Sequence, residues 1–533
     1  MAGGAAGASM SDPIPIIESM FDKLPLGPEA LGDAEDAALI DAVGGWARLE
    51  AAAAARRLAA IAELAARRAE SRPERRRWAC DNWDAAAAEV AAAENISHGM
   101  AGGQLYLAST LRDRLPRVGA LFLDGAISAR LVSTIVWRTA LVTDAEILRR
   151  IDAELAGIAV GLGPLSAVKT ATAIDTLIDR HDPAALRRTR IGARGRDVVV
   201  DLEHCEQGTA AMWGRLYATD AAALDERLAR LARGVCDEDP RTVAQRRADA
   251  LGALAAGSSV LACACGRPEC PAGAGQSAHA SNVVVHVVAE AAALTAEPDR
   301  HMNGEPPPSR STTPGMTLAE MFAPEPEPDP PAVTSPGLIL GAGTIPASLI
   351  AELVRRGAAV TPLAVPTDTV AEPGYRPSAA LAAFIRCRDL TCRFPGCDRP
   401  ATHCDIDHAV PHPLGPTHPS NLRCLCRKHH LLKTFWVGSA GWSDRQHPDG
   451  TIVWTSPTGQ TYTTRPGSRQ CFPTLCFDTG ALDLPDHPAP SEDRGVAMPL
   501  RRRPREQQRA RSIRAERALN ADRIAERNQA PPF

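Results

Sequence analysis

Apolar residues recur at helical spacing through the first half of the chain. One set, spaced four and then three residues apart, shares a single helix face: Leu39, Val43, Trp46 and Leu49. The pattern is helical over residues 37–94 and again over 104–190, where Gly125 interrupts an apolar run and indicates two helices joined by a turn. The N-terminal region is therefore predicted to be mostly α-helical.

Short β-branched segments add a small sheet to these helices. Residues from Arg194 to Glu203 and from Val283 to Val288 predict strands. Between them, Asp220 is predicted to cap a helix that carries leucines on one side. We therefore expect residues 36–295 to form a mainly helical domain with a small sheet, in the α+β class.

Proline marks the boundary of this domain. Nine prolines fall within residues 306–331, so residues 296–336 are predicted to be a disordered linker. Beyond the linker we expect a C-terminal domain at 337–470. It should contain a short helix at 378–387 and a β-hairpin at 452–464, where two β-branched and aromatic segments flank a Pro-Thr-Gly turn.

The two ends of the chain are predicted to lie outside these domains. Residues 1–35 indicate a disordered leader. Residues 471–533 form a tail that holds eleven arginines and four acidic residues from Arg494 onward. The tail is expected to be either partly helical or a disordered arm, and either to add phosphate affinity or simply to be solvated.

Composition limits the class of protein. A chain of 533 residues predicts several domains, and its net charge of −4 means that any affinity for nucleic acid must come from local patches. The chain shows no export signal and no apolar stretch of the ~20 residues that cross a bilayer. We therefore predict a soluble, cytoplasmic protein without a membrane partner.

Fourteen cysteines provide the first candidate chemistry. Cys263, Cys265 and Cys270 lie within eight residues and can form part of a zinc site, with His279 or Cys236 as the fourth ligand. Their spacing is irregular, so a turn with free thiols is the alternative.

The richest stretch runs from Cys392 to Lys433, with five cysteines and six histidines. Two pairs within it have zinc-ligand spacing: Cys392 with Cys397, and Cys426 with His429. Together they predict a closed Cys₃His site, which is structural because it leaves no open position for water. Cys404 and Cys424 are further candidate ligands. The alternative is that the four residues of the two pairs are unrelated and bind no common ion.

A second set lies between and beside these pairs: Asp407, His408, Asn421 and His430. A carboxylate beside an imidazole, with another imidazole further along the chain, suits a divalent ion and a general base. The oxygen ligand favours Mg²⁺ or Mn²⁺, and a His ligand tolerates Mn²⁺, Ni²⁺ or Zn²⁺.

The segments CDIDHAVP, SNLRCLC and RKHHLLK, in this order, resemble the motif of HNH nucleases, the ββα-metal family. The resemblance covers residues 385–436. More broadly, RTVAQRRADAL and CACGRPEC are similar to bacterial proteins that join an N-terminal domain of unknown function, number 222, to a C-terminal HNH domain.

The HNH resemblance implies a metal-dependent endonuclease that hydrolyses phosphodiester bonds of DNA in a zinc-stapled ββα domain. His408 would be the general base, and Asp407 and His430 would hold the catalytic Mg²⁺ or Mn²⁺. Asn421 would fix the loop that carries His408, and Lys433 would contact a phosphate. Cys392, Cys397, Cys426 and His429 would hold structural zinc.

Other functions stay open. The chain can be a zinc-stabilised nucleic-acid-binding protein or a mobile-element protein without cleavage activity. The helical N-terminal region can mediate self-association. Eight lysines and arginines against four aspartates between Arg386 and Lys433 predict a locally basic surface, which suits a polyanion such as DNA.

Overall fold

A computed structural model describes residues 27–187, 196–206, 208–270, 285–297, 335–355, 357–366, 370–483 and 497–528. Most of the predicted leader and linker, together with His279, lies outside these residues. The chain divides into two compact units. Unit 1 comprises Met1–Arg188 and Gly495–Phe533, and unit 2 comprises Thr189–Arg494.

Helices predominate in the described residues. In chain order they are α1 (Asp36–Ser71), α2 (Asn82–Glu94), α3 (His98–Asp113), α4 (Pro116–Leu123), α5 (Ala129–Arg138), α6 (Ala145–Leu162), α7 (Ala167–His181), α8 (Ala218–Arg233), α9 (Val243–Ala255), α10 (Ala347–Arg355), α11 (Ala379–Asp389), α12 (Arg427–Phe435), α13 (Ser468–Cys471) and α14 (Arg505–Arg527). The fold is mostly helical with small sheets, as the sequence predicts.

The described strands form four small sheets. They are β1 (Asp197–Glu206), β2 (Thr209–Arg215), β3 (Val287–Val288), β4 (Gly337–Ile339), β5 (Thr344–Ile345), β6 (Cys404–His408), β7 (Leu422–Cys426), β8 (Ser443–Gln446), β9 (Ile452–Thr455) and β10 (Thr461–Thr464). The sheet orders are β1-β2, β3-β4-β5, β6-β7 and β10-β9-β8, and all pairs are antiparallel.

Unit 1 is a helical assembly around one apolar core. Five of its helices begin with a side-chain cap, in which an Asp or Ser oxygen accepts a backbone N–H of the first turn: α2, α3, α5, α6 and α7. The core is fully buried at Leu105, Leu115, Phe122, Ile135 and Ile151. Burial of such side chains stabilises the unit by ~1.5–3 kcal/mol each.

The helix predicted from Leu39 to Leu49 exists as the first part of α1, but the face chosen from its spacing is not a buried one. Val43 is 66% exposed and Trp46 is 44% exposed. The core contacts of α1 come later along the helix, at Leu58 and Ile61. Periodicity predicted the helix correctly, but it predicted the wrong buried face for the first turns of the helix.

The arginine-rich tail is helical over α14 and belongs to unit 1. Arg505 donates to Asp81 and Asp84, and Arg517 donates to Asp182 at 2.7 Å. These carboxylates are buried in unit 1, so the tail arginines neutralise charges that would otherwise be costly. At least these two arginines are therefore engaged within the protein.

Unit 2 differs from the sequence prediction in several local details. Of the strand predicted at 283–288, the described residues contain β3 at Val287–Val288, and β4, β5 and β8 were not predicted. The strand predicted at 194–203 is β1, and its partner β2 was not predicted. The helix predicted to be capped by Asp220 begins at Ala218 with Tyr217 as its N-cap, and Asp220 lies in its first turn. The predicted hairpin at 452–464 is present as β9 and β10, with Tyr462 opposite Trp454.

Asp389, at the end of α11, anchors the part of unit 2 that carries the candidate site. Its fully buried carboxylate accepts from Arg388, Arg393 and the backbone N–H of Cys424 in β7. Arg388 also donates to the carbonyl oxygens of Pro419 and Leu422. This ion cluster ties α11 to the beginning and the middle of β7. No helix among the described residues is both long and apolar enough to cross a membrane.

The turn at Gly125, between α4 and α5, requires glycine. Its φ is +71°, and a Cβ there would lie 2.3 Å from the carbonyl oxygen of Arg48 in α1. We expect Gly125→Ala to lower the free energy of unfolding by at least about 1–3 kcal/mol, because the left-handed backbone and the close approach both oppose a side chain. Chemical denaturation of the full chain measures this change.

Gly103→Ala is the matched control for this substitution. Gly103 lies inside α3, and a Cβ there meets nothing within 4 Å. Alanine at this position should be neutral or should stabilise by up to about 1 kcal/mol. Equal stability of the two variants would contradict the account of the Gly125 turn.

Candidate functional site

The metal-rich stretch folds into two antiparallel strands followed by a helix. In the register of β6 and β7, Cys404 faces Cys426 and His408 faces Leu422. Helix α12 begins directly after β7, with Cys426 as its N-cap residue. This arrangement brings the end of β6 and the first turns of α12 close together in space.

The Cys₃His ligand set predicted from the sequence is assembled. The ligand atoms of Cys392, Cys397, Cys426 and His429 all lie within 4.8 Å of one another. Nδ1 of His429 is 3.5 Å from Sγ of Cys392 and 3.4 Å from Sγ of Cys426. Cys404 and Cys424 instead donate to backbone carbonyls and fall outside this group of four ligands.

These distances fit a tetrahedral zinc site. Zn–S bonds of about 2.3 Å and Zn–N bonds of about 2.0–2.1 Å place sulfur and nitrogen about 3.6 Å apart on a tetrahedron. Four protein ligands close the coordination shell, so an ion here would be structural. The cluster can hold a metal ion such as zinc.

Aromatic side chains hold the imidazole of His429 in place. Phe394 stacks on this ring with centroids 4.1 Å apart and planes 13° apart. Trp454, fully buried on β9, packs edge-on against Phe394 and donates from its indole to the carbonyl oxygen of Arg393. Through Trp454 and Phe394, the three-stranded sheet β10-β9-β8 therefore supports the position of the His429 ring.

Asp407 and His430 meet on the other side of the strand–helix junction. Nε2 of His430 lies 3.5 Å from Oδ1 of Asp407. Nδ1 of His430 lies 2.9 Å from Oδ2 of Asp405. The adjacent histidines thus point to different places, with His429 among the cysteines and His430 between two carboxylates.

Asp407 is nearly buried and stays charged. Burial alone would raise its pKa, but the nearby cations of Lys433 and Arg423, together with His430, hold the pKa of this carboxyl below its ordinary value. Nζ of Lys433 is 2.7 Å from Oδ2, and Nε of Arg423 is 3.2 Å from the same oxygen. Oδ1 faces His430.

Lys433 is bound by the protein itself in this structure. Besides Asp407, its ammonium donates to the backbone oxygens of His408 and Ala409. The three acceptors match the three N–H donors of an ammonium group. Phosphate binding by Lys433 stays a prediction.

The ring of His408 is buried and has a defined tautomer. Its Nε2 lies 2.9 Å from Oγ1 of Thr417, and that hydroxyl lies 2.6 Å from the carbonyl oxygen of Gly374. The single hydroxyl hydrogen of Thr417 must go to the carbonyl, which can only accept, so Nε2 of His408 is the donor. Nδ1 is then the basic nitrogen of the neutral ring.

Burial also favours the neutral form of His408. Desolvation lowers the pKa of this imidazole, only partly offset by the charge of Asp407. Tyr375 stacks on the ring at a centroid distance of 5.3 Å and a plane angle of 18°. Tyr375 itself is 61% exposed, so the stacked pair lies at the edge of the surface.

Asn421 closes the loop that follows His408. Its Oδ1 accepts from the N–H of Val410 at 2.8 Å, and its Nδ2 donates to the carbonyl oxygens of Val410 and Pro416. The side chain is completely buried. These bonds fix the backbone directly after His408.

Sequence reasoning missed Asp405 and Thr417, which contact the two histidines of the site. Asp405 had a signal, because residues two apart on a strand share a face and Asp405 and Asp407 both project toward α12. Thr417 had none, since only the folded loop brings its hydroxyl to His408.

The basic surface expected from the sequence is weaker than the residue count suggested. Arg388, Arg393 and Arg423 are buried in ion pairs with aspartates, and Lys433 is largely buried. Arg427 is 67% exposed on its side chain and lies 3.5 Å from Asp405. Part of the positive charge therefore builds the fold and does not face solvent.

The cysteines predicted as part of another zinc site lie elsewhere in unit 2. Cys263, Cys265 and Cys270 lie together with Cys236. His279, the alternative fourth ligand, falls outside the described residues.

Fold and site define a protein with a helical unit and a second unit that carries Cys/His clusters able to bind metal. The chain belongs to the family described as "Domain of unknown function (DUF222)", which matches residues 46–389 and so ends just before Cys392.

Relatives match nearly the whole chain. "Uncharacterized protein Rv2100" of Mycobacterium tuberculosis is 58% identical over 520 residues, which cover 97% of this chain and 94% of the relative. "Uncharacterized protein Rv3776" of the same organism is 56% identical over 515 residues, which cover 96% and 95%. No solved structure matches.

The ligand role of His429 can be tested by exchange. Cysteine is also a zinc ligand and reaches a similar position, so we expect His429→Cys to keep the bound zinc. His429→Ala should lose one zinc per chain and lower the melting temperature, because three clustered thiols, two of them buried, are left without their ion. Metal analysis of the dialysed full-length protein measures the zinc content.

Cys471→Ser is the matched control, since Cys471 is exposed and outside the cluster. It should keep the zinc content of the parent protein. If both His429→Ala and Cys392→Ser keep the zinc content of the parent protein, the assignment of a Cys₃His zinc site is wrong.

Proposed function

We propose that the ββα region is the active centre of a metal-dependent HNH endonuclease that hydrolyses phosphodiester bonds of DNA. The contact between Asp407 of β6 and His430 of α12, with His408 next to Asp407 in the chain, carries the proposal. Asp407 and His430 are 23 positions apart in the sequence, and the fold brings their side chains together.

Asp407 and His430 are suited to share a divalent ion. Two ligand atoms that each lie about 2.1 Å from one ion are about 3.0–3.5 Å apart, depending on geometry. The 3.5 Å between Oδ1 of Asp407 and Nε2 of His430 falls at the upper end of this range. Mg²⁺ or Mn²⁺ bound there would polarise the scissile phosphate and stabilise the leaving 3′ oxygen.

Asp405 supports the ligand role of His430. A carboxylate at Nδ1 of a histidine fixes the ring orientation and favours the tautomer whose Nε2 lone pair is available to a metal. The 2.9 Å contact between Asp405 and Nδ1 meets this requirement. Nε2 is the nitrogen that faces Asp407.

His408 is suited to be the general base. Thr417 holds Nε2 as a donor, so Nδ1 can accept the proton of the attacking water. The water oxygen then bonds to phosphorus as the bond from phosphorus to the 3′ oxygen breaks. A positioned base of this kind contributes about 10²–10⁴-fold to the rate.

Asn421 and Lys433 would act through other groups. Asn421 fixes the backbone after His408, which limits how far the imidazole can turn. Lys433 neutralises Asp407 and binds the carbonyl of His408, so it joins the metal ligand to the base. Exposed cations such as Arg427 provide contacts for the phosphates of DNA.

A plasmid-nicking assay with the full chain tests the proposal. With Mg²⁺ or Mn²⁺, we expect the wild-type protein to convert supercoiled DNA to open-circular or linear forms, and EDTA to stop the reaction. His408→Ala should lower the rate by about 10²-fold or more, because the general base is removed. The readout is the cleavage rate on a gel.

His403→Ala is the matched control. His403 is exposed in the same stretch and contacts neither Asp407 nor His408 in the structure. It should cleave at the wild-type rate. If wild type, His408→Ala and His403→Ala all bind DNA and all leave it intact with either metal, the protein is a non-cleaving nucleic-acid-binding protein and the nuclease proposal fails.

Asp405→Asn tests the support of His430. We expect the metal concentration for half-maximal cleavage to rise about 10–100-fold, the usual cost of removing a carboxylate behind a ligating histidine. The maximal rate at saturating metal should change little. Asp398→Asn, an exposed aspartate nearby, should leave the metal requirement unchanged. Equal metal requirements in all three proteins would contradict the role of Asp405.

A further inference from the structure

We propose that Cys236, Cys263, Cys265 and Cys270 bind a second zinc ion in a closed Cys₄ site that fastens the hairpin of helices α8 and α9. The proposal is independent of the nuclease proposal, because it involves none of the residues of the ββα region.

The first support is the convergence of four thiols from two separate segments. All four sulfur atoms lie within 4.8 Å of one another. Sγ of Cys236 is 3.4 Å from Sγ of Cys263, far beyond a disulfide bond of about 2.05 Å. Sulfur atoms on a zinc tetrahedron lie about 3.8 Å apart, so only small shifts are needed.

The backbone of the cysteine-rich loop is shaped to bring its thiols together. Gly266, directly after Cys265, has a φ of +71° and reverses the chain. The N–H of Cys270 then donates to the carbonyl oxygen of Arg267 at 3.2 Å. The turn lets residues from both sides of Arg267 face one point.

A buried ion pair holds the two cysteine-bearing segments against each other. Asp239 lies three residues after Cys236, and its fully buried carboxylate accepts from the N–H of Ala264 at 2.8 Å. Arg241 binds Asp239 and donates to the carbonyl oxygen of Ala262 at 2.7 Å. Backbone groups on both sides of Cys263 are therefore fixed before any ion binds.

The size of the local core gives an energetic reason for a metal. The cluster around this hairpin contains four buried apolar residues: Leu231, Val235, Ala250 and Leu261. Burial of so few side chains does not outweigh the conformational entropy of ordering two helices and a loop. Small units of this kind are commonly stabilised by a structural metal.

The experiment compares the zinc content of full-length variants expressed in zinc-supplemented medium and dialysed. We expect Cys263→Ser to contain one zinc per chain less than the parent protein. Cys392→Ser should also lose one, and the double variant should lose two. Cys205→Ser, a cysteine of unit 2 outside both clusters, should lose none.

A second measurement covers the case in which Cys263→Ser fails to fold. Cobalt is exchanged into Cys392→Ser, in which the Cys₄ group is the remaining closed site among the residues that the structure describes. A charge-transfer band from four thiolates to one cobalt ion supports the proposal, and its absence overturns it. A parent zinc content retained in Cys263→Ser, or an oxidised Cys236–Cys263 disulfide in the parent protein, also overturns it.

Discussion

The candidate site depends on the junction between β7 and α12, because the two adjacent histidines that follow it contact different groups of side chains. Neighbouring residues on a helix point about 100° apart. His429 can therefore lie among three thiols while His430 reaches Asp407 and Asp405. Any rotation of the first turn of α12 would disturb both groups at once. A closed zinc site at His429 would fix that rotation and with it the aim of His430.

This junction rests in turn on buried charge. Asp389 accepts the N–H of Cys424 in β7, and Arg388 and Arg393 compensate its charge in the interior. Such clusters are costly to desolvate and are worth retaining where they specify one arrangement over others. Here they fix β7 relative to α11 and to the β9 sheet, whose Trp454 packs near the candidate zinc ligands. The arginines counted as basic surface in the sequence thus serve as internal supports.

Local patterns in the sequence predicted the features that depend on residues close together in the chain. Ligand spacing located Cys392, Cys397, Cys426 and His429, and β-branched alternation located the β9–β10 hairpin. The same patterns predicted less well which residues are buried in the tertiary structure. Val43 and Trp46 have the spacing of a core face and yet are exposed, because a helix pattern does not say which neighbours exist. Thr417 and Gly374 are 43 residues apart, and nothing local joins them to His408. The roles of the site residues stay predictions.

The charges around Asp407 bear on how an ion would bind. Oδ2 of Asp407 is already paired with Lys433 and Arg423. A cation that approaches Oδ1 is therefore repelled by two positive groups on the opposite side of the carboxylate. One carboxylate and one neutral imidazole make a weakly charged ligand set for Mg²⁺ or Mn²⁺, which leaves several coordination positions to water or phosphate oxygens. An anionic phosphodiester at those positions would supply the missing negative charge. If the proposed function holds, the ion and the substrate should therefore favour each other's binding, and Lys433 would keep Asp407 ionised and oriented until both are present.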